Sequence, residues 1–214
     1  MRPAALLLDL DGTLVDSEPL QRIGYQRFFE ARGWPAPDLS LFTGRRAADV
    51  FPALPGPWQD HDPLPLALEV SALVPRDVPP DEVPGAIDLV RAAASLGVRV
   101  AIVTSAGPAW VQTAAGDGLG VLGLVEVVVT SLDVVDGKPH PAGYLLACER
   151  LGVDPGDTWA AEDSVAGVAA AAAANVGTVI GVTTSVTDGQ LADAGAHATY
   201  ADLRPVAALL ASPR

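Results

Sequence analysis

The stretch from Leu6 to Asp16, Leu-Leu-Leu-Asp-Leu-Asp-Gly-Thr-Leu-Val-Asp, constrains the fold more than any other part of the chain. Leu6 to Leu8 are apolar and uncharged, as in a strand covered on both faces. Two carboxylates follow, Asp9 and Asp11, with one leucine between them. In a continuing strand alternate side chains share a face, so the two like charges would destabilise each other. A buried strand tolerates this only with a partner. A hard cation such as Mg²⁺ is a suitable one, because it takes carboxylate and carbonyl oxygens and inverts the local charge balance. Gly12 lets the backbone turn at the strand end and come close to a ligand. An ordinary Asp-Gly turn accounts for Asp11-Gly12. It does not account for Asp9, which precedes the turn inside apolar sequence.

From Pro84-Gly85 onward the chain alternates. Ala86–Leu96 has the spacing of an amphipathic helix and stops at Gly97, Val98–Val103 is a buried strand, Pro108–Ala115 is helical, and Gly116 to Gly123 is a glycine-rich connection. Glu126–Thr130 reads as a strand and Pro141–Leu151 as a helix stopped by Gly152. Thr158–Ala161 is a strand, and Val165–Ala174 is an alanine-rich helix whose small side chains suit close approach to a sheet. Thr178–Val182, Asp188–Ala194 and His197–Tyr200 continue as strand, short helix and short strand. Such alternation predicts an α/β fold, a Rossmann-like parallel sheet with helices on both faces.

Between Ser17 and Val83 the texture differs. Ser17-Glu18-Pro19 reads as a helix start with Ser17 as N-cap. That helix runs through Ile23, Phe28 and Phe29 to about Arg32, and Gly33 ends it. Prolines are dense from Pro35 to Pro84, short helical segments fit around Arg45–Phe51 and Leu64–Leu73, and no alternating strand pattern appears. Residues 17–83 are therefore expected to be a small helical insertion in a main domain made of 1–16 and 84–214.

The chain has 214 residues, 50% hydrophobic and 18% charged, enough for the core of one or two domains. A formal net charge of -13 repels nucleic acid and anionic membranes and argues against both as partners. No apolar run reaches membrane-spanning length. The apolar stretch after Met1-Arg2-Pro3 is too short for a signal peptide. Cys148 is the single cysteine, which excludes an intrachain disulfide and fits a reducing cytoplasm. Its place in a helical pattern marks a small buried residue.

In parallel sheets ligands bind beyond the carboxyl ends of the strands, where the strand order reverses. Four segments place polar groups at such ends: Asp9 and Asp11, Thr104-Ser105, Lys138 in the loop Asp136-Gly137-Lys138-Pro139, and Glu162-Asp163-Ser164. Each has a plainer role open to it alone. Thr104-Ser105 or Glu162-Asp163 could cap a helix, and Lys138 could be a solvated loop lysine. Together on one sheet edge they make a phosphoryl-transfer device, in which catalysis is mainly positioning and neutralisation. In this reading Asp9 attacks phosphorus and forms an aspartyl-phosphate. Asp11 protonates the leaving alcohol and then takes a proton from water, and its backbone carbonyl adds to the metal site. Asp9, Asp11, Glu162 and Asp163 hold Mg²⁺, while Thr104, Ser105 and Lys138 bind phosphate oxygens.

The string from Asp9 to Asp16 also resembles the signature of the haloacid dehalogenase superfamily. Val103-Thr104-Ser105, Lys138-Pro139-His140-Pro141 and Glu162-Asp163-Ser164-Val165-Ala166-Gly167 resemble the later motifs of its sugar-phosphatase and β-phosphoglucomutase-like subfamily. The resemblance implies a helical cap over residues 17–83 that closes on the site and chooses the substrate. It implies a small phosphorylated metabolite, such as a sugar phosphate, as substrate, and a monomer as the default state. Two departures stand out: Ala142 replaces an Asp that usually follows the Lys-Pro run, and Asn175-Val176 replaces a glycine-led turn, for which Asn tolerates the left-handed conformation. Within the insertion, Thr43-Gly44-Arg45-Arg46 is the best candidate for contacting the leaving group, with Arg45 or Arg46 supplying a guanidinium. His61 and Trp58 are weaker candidates. The competing activity is a sugar-phosphate mutase. Gln21, where that branch carries histidine, and Ala106-Gly107-Pro108, where it carries a basic loop, favour hydrolysis. A dehalogenase has no need of Asp11, and a non-catalytic phosphate-binding module has no need of Asp9 and Asp11 together.

Overall fold

The computed structural model describes residues 2–212. Its main sheet has six parallel strands: β1 (Ala5–Leu8), β4 (Arg99–Val103), β5 (Val127–Val129), β6 (Thr158–Glu162), β7 (Thr178–Val182) and β8 (Ala198–Tyr200). They lie in the order β5-β4-β1-β6-β7-β8. β1 is central, pairing with β4 on one side and β6 on the other, and the strand order reverses there. This is the point at which a parallel sheet opens a crevice for a ligand.

Alternate residues of each strand feed two separate cores. Leu6, Leu8, Val100 and Ile102 pack on one face under α4 (Ala86–Ser95), α5 (Pro108–Val111) and α9 (Arg204–Ala211). Ala5, Leu7, Ala101 and Val103 pack on the other face under α6 (Ala142–Leu151), α7 (Val165–Ala173) and α8 (Asp188–Ala194). The expected α/β fold is borne out, with two local differences. α9 follows Tyr200 and adds a helix beyond the last expected strand; Val206 and Leu210 lie one turn apart and are both buried. The expected helix over Pro108–Ala115 is one α-helical turn that loosens into a π-helical segment, Gln112–Gly118, at a glycine-rich stretch with poor helix propensity. Asn175 takes the left-handed conformation, φ 58°, that its position requires.

The inserted segment leaves through β2 (Val15–Asp16) and returns through β3 (Asp81–Glu82), which pair antiparallel as a two-residue ribbon. The sequence shows no strand here, because two residues give no alternation to read. Between them lie α1 (Glu18–Arg32), α2 (Ala47–Val50) and α3 (Pro63–Leu73). They surround a buried cluster of their own, built on Tyr25, Phe28, Phe29, Phe42, Phe51 and Trp58. Trp58 donates its indole N–H to the Leu54 carbonyl, and the exposed His61 lies against Trp34 with tilted rings, centroids 5.2 Å apart. Trp58 and His61 thus belong to the packing of this segment. Among the described residues, no helix is long and apolar enough to cross a membrane.

Candidate active site

The backbone N–H of Asp9 donates to the Ala161 carbonyl at 3.1 Å, carrying the β1–β6 pairing one residue past the strand. The Asp9 carboxylate therefore stands beside the end of β6, where Glu162 and Asp163 emerge. Lys138 Nζ donates to Asp9 Oδ1 at 2.5 Å and also pairs with Glu162 Oε1. Lys138 is 7% exposed, so the solvated-loop alternative is set aside. Glu162 is fully enclosed: Tyr144 donates its hydroxyl to Oε1 at 2.6 Å and Ser164 donates to Oε2 at 3.3 Å. The helix-cap alternatives fail as well. Ser164, not Glu162 or Asp163, caps α7, and Gly107, not Thr104 or Ser105, precedes α5.

Gly12, at φ 82°, turns the chain back toward Asp163; a β-carbon there would fall 2.0 Å from Asp163 Oδ2. Only glycine allows both the conformation and the approach. Ser185 donates to the same Asp163 oxygen, and Thr184 donates to the Gly12 carbonyl at 2.5 Å.

Three buried carboxylates face one ammonium. Burial, with Glu162 beside it, pushes Asp9 well above the usual carboxylate range despite Lys138. Burial and Glu162 also push Asp163 up to about 7. Burial opposes the charge on Lys138, but Asp9 and Glu162 outweigh it and hold the lysine protonated. Oxygens of Asp9, Glu162 and Asp163 all lie within 4.8 Å of one another. A set of hard, anionic oxygens in excess of its protein cation fits a divalent metal ion.

Asp11 is held differently. Ser17 donates to Asp11 Oδ1 at 2.5 Å, and the Trp110 indole N–H donates to the same oxygen at 2.7 Å. Burial raises the Asp11 carboxyl above its ordinary range, while the hydrogen bonds from Ser17 and Trp110 pull it down. Ser17 does occupy the N-cap position of α1, but its hydroxyl makes no cap hydrogen bond and serves Asp11 instead.

Thr104 ends β4, buried, and its hydroxyl accepts from the Ala106 N–H at 3.0 Å. Ser105 donates its hydroxyl to the Gly44 carbonyl of the inserted segment at 3.2 Å. Gly44 in turn lies so near Ser164 that a β-carbon on it would fall 2.1 Å from the Ser164 hydroxyl oxygen. A cavity of about 20 Å³ is lined by Thr104, Ser105, Asp136, Lys138, Tyr144 and Arg46 among others.

The two arginines divide. Arg46 chelates Asp49 (Nε to Oδ2, 2.7 Å) and donates to the carbonyls of Val134 at 3.1 Å and Val135 at 2.6 Å. It ties the inserted segment to the loop after β5. Arg45 has a buried Nε with no hydrogen-bond partner.

Sequence reasoning passes over Tyr144, Trp110, Thr184 and Ser185. Thr183-Thr184-Ser185 follows β7 on the same sheet edge, so the strand-end rule that finds Asp163 applies there too. Trp110 and Tyr144 carry a weaker signal: a buried indole or phenol needs a partner for its single donor.

A model of the haloacid dehalogenase-like hydrolases matches residues 3–175. The chain belongs to this family. Among its haloacid dehalogenase-like relatives is the validoxylamine A 7'-phosphate phosphatase of Streptomyces hygroscopicus subsp. limoneus, 38% identical over 192 residues, covering 88% of this chain and 89% of the relative. Hexitol phosphatase A of Escherichia coli (strain K12) is 34% identical over 179 residues, covering 81% of each chain. A hydrolase from Pseudomonas syringae of known structure is 22% identical and superposes with a TM-score of 0.83 over 97% of this chain and 99% of its own, which shows the shared fold.

Proposed function

We propose that this hydrolase is a Mg²⁺-dependent phosphatase that releases phosphate from a small phosphorylated carbohydrate through an aspartyl-phosphate on Asp9. The observation that carries the reading is the pair of carboxylates two residues apart with opposite partners. Asp9 is ion-paired to Lys138 beside Glu162 and Asp163, whereas Asp11 is held only by neutral donors. That is the division between a nucleophile in a charged cradle and a proton carrier. The named phosphatases among the relatives, one acting on validoxylamine A 7'-phosphate and one on hexitol phosphates, support the substrate class.

In the first half-reaction an Asp9 oxygen bonds to phosphorus as the bond from phosphorus to the leaving oxygen breaks, and Asp11 gives that oxygen a proton. In the second, water attacks phosphorus, Asp11 takes its proton, and Asp9 is freed with inorganic phosphate. Lys138 and Thr104 hold phosphate oxygens, and Lys138 also offsets charge on Asp9. Asp9 and Asp163, with the Asp11 carbonyl, would hold Mg²⁺, which supplies positive charge against the transferring group. Both oxygens of Glu162 are engaged by Lys138, Tyr144 and Ser164, so Glu162 adds charge to the site while fixing the lysine. Residues 17–83 act as the cap, and Arg45, with its unpartnered Nε, reaches the leaving group.

The test is phosphate release from a panel of phosphorylated sugars, polyols and phosphoglycolate with Mg²⁺, beside an Asp9→Asn control. Turnover of at least one carbohydrate phosphate that vanishes in the control is expected. No release from any member would overturn the reading.

A further inference from the structure

We propose that Trp110 is a positioning residue for Asp11, its indole N–H fixing which carboxylate oxygen meets the reacting group. The inference rests on the acid–base reading of Asp11 given above. Trp110 lies in α5, directly after the strand end that carries Thr104 and Ser105, and is 5% exposed, with its ring in the same core cluster as Leu10 and Leu14. The ring is anchored by apolar packing, and its one polar atom reaches Asp11 Oδ1 at 2.7 Å. Ser17 reaches that same oxygen at 2.5 Å.

An indole N–H donates and cannot accept. A proton placed on Oδ1 would confront that N–H with a donor, whereas a carbonyl-type Oδ1 satisfies both Trp110 and Ser17. The proton that Asp11 delivers to the leaving oxygen, and later takes from water, is therefore carried on Oδ2. The two donors come from different parts of the chain. Ser17 begins α1 at the edge of the inserted segment, while Trp110 belongs to the helix layer on the sheet. Trp110 thus holds the carboxylate plane from the side of the sheet's core. Neither residue bears charge, so the orientation comes without a competing ion pair that would draw Asp11 away from substrate.

The consequence is a dependence on the leaving group. A phenolate leaves poorly without a proton, since phenol titrates near about 10, while p-nitrophenolate needs no proton. The experiment measures kcat/KM for phenyl phosphate and p-nitrophenyl phosphate with Mg²⁺ in wild type, Trp110→Phe and Asp11→Asn. Trp110→Phe should lose about tenfold on phenyl phosphate, the worth of one orienting hydrogen bond, and less than about twofold on p-nitrophenyl phosphate, which needs no general acid. Asp11→Asn should lose about a hundredfold or more with the same selectivity. Because phenylalanine leaves a gap, the indole is also replaced by benzothiophene, which keeps the shape and lacks the N–H. The same selective loss is expected there, even if Trp110→Phe folds poorly. Equal losses on both substrates in the Trp110 variants, beside a selective loss in Asp11→Asn, would overturn the inference alone. An unselective Asp11→Asn would overturn the acid–base reading beneath it.

Discussion

The sheet and the segment between β2 and β3 are packed from different side chains. The sheet's two cores are mainly Ala, Val, Leu and Ile, and its strands repeat the same backbone pairing three or four residues at a time. The inserted segment contains all four phenylalanines of the chain and half of its tryptophans. Large rings let this proline-rich segment bury area with few residues. What differs is how each region holds charge. The sheet edge fixes Asp9, Lys138, Glu162 and Asp163 by adjacent strand ends and mutual bonds. The segment meets that edge through a few separable contacts: Arg46 on three loop carbonyls, Gly44 against Ser164, and Ser105 on the Gly44 carbonyl. On the proposed reading, chemistry belongs to the sheet edge and selection to the inserted segment.

The sharpest way to break this division is Asp9→Asn. If Asp9 has the proposed roles, the change should cut turnover by at least about a hundredfold on every substrate, because the attacking oxygen and a charged metal ligand are lost together, while the melting temperature stays within a few degrees. Retained activity would return Asp9 to a structural role. Arg45→Ala should separate substrates instead. A loss of about ten- to a hundred-fold in kcat/KM on the best sugar phosphate, the worth of a charged hydrogen bond, is expected, with p-nitrophenyl phosphate largely spared. Arg45→Lys should fall short of full rescue, because lysine lacks the planar fork.

Arg46→Ala should behave unlike its neighbour. Its guanidinium holds the segment to the loop after β5, so the loss should be several-fold and similar on both substrates, as expected when closure rather than recognition is weakened. A substrate-selective loss at Arg46 would exchange the two roles. The smallest effect concerns pH. With its carboxyl raised to about 7, Asp163 is protonated in the metal-free protein below that pH and charged above it. A folded-state value above the unfolded one means that this group's contribution to stability declines as pH rises from about 4 through about 7. Mg²⁺ bound at the proposed site would reverse the trend, since it competes with that proton. Titrating Mg²⁺ against the melting temperature should show roughly tenfold weaker apparent affinity at pH 6 than at pH 8, a shift of only a few degrees at fixed metal. Equal affinity at both pH values would place the metal away from Asp163.

The strand-end constellation is legible in the sequence because a buried strand advertises itself as an apolar run, and a polar residue that closes such a run must have a partner. Asp9, Thr104 and Asp163 are of that kind, while Lys138 sits in a loop after β5 and is legible only in company with them. The hydroxyls of Thr184 and Ser185 follow the same rule but come after a strand with no acid at its end, so their role shows only once β7 is placed beside β6. Ser17 has the pattern of a helix cap, and its sequence neighbours carry no sign that its hydroxyl turns to Asp11 six residues back. The split between Arg45 and Arg46 is set by carbonyls about 90 residues away, which no local pattern encodes. Trp110 is hidden for the same reason, its partner lying 99 residues earlier.

The two-residue ribbon of Val15 and Asp16 with Glu82 and Asp81 has a consequence for how such a chain can change. Because the outgoing and returning strands are already side by side, the sheet meets the whole excursion as a closed loop whose ends are pinned. Lengthening, shortening or exchanging what lies beyond the pin alters loop entropy only slowly with length and leaves the register of β1 against β4 and β6 untouched. The ribbon works as a socket: the sheet edge can be kept while the inserted segment, the part proposed to read the substrate, is replaced.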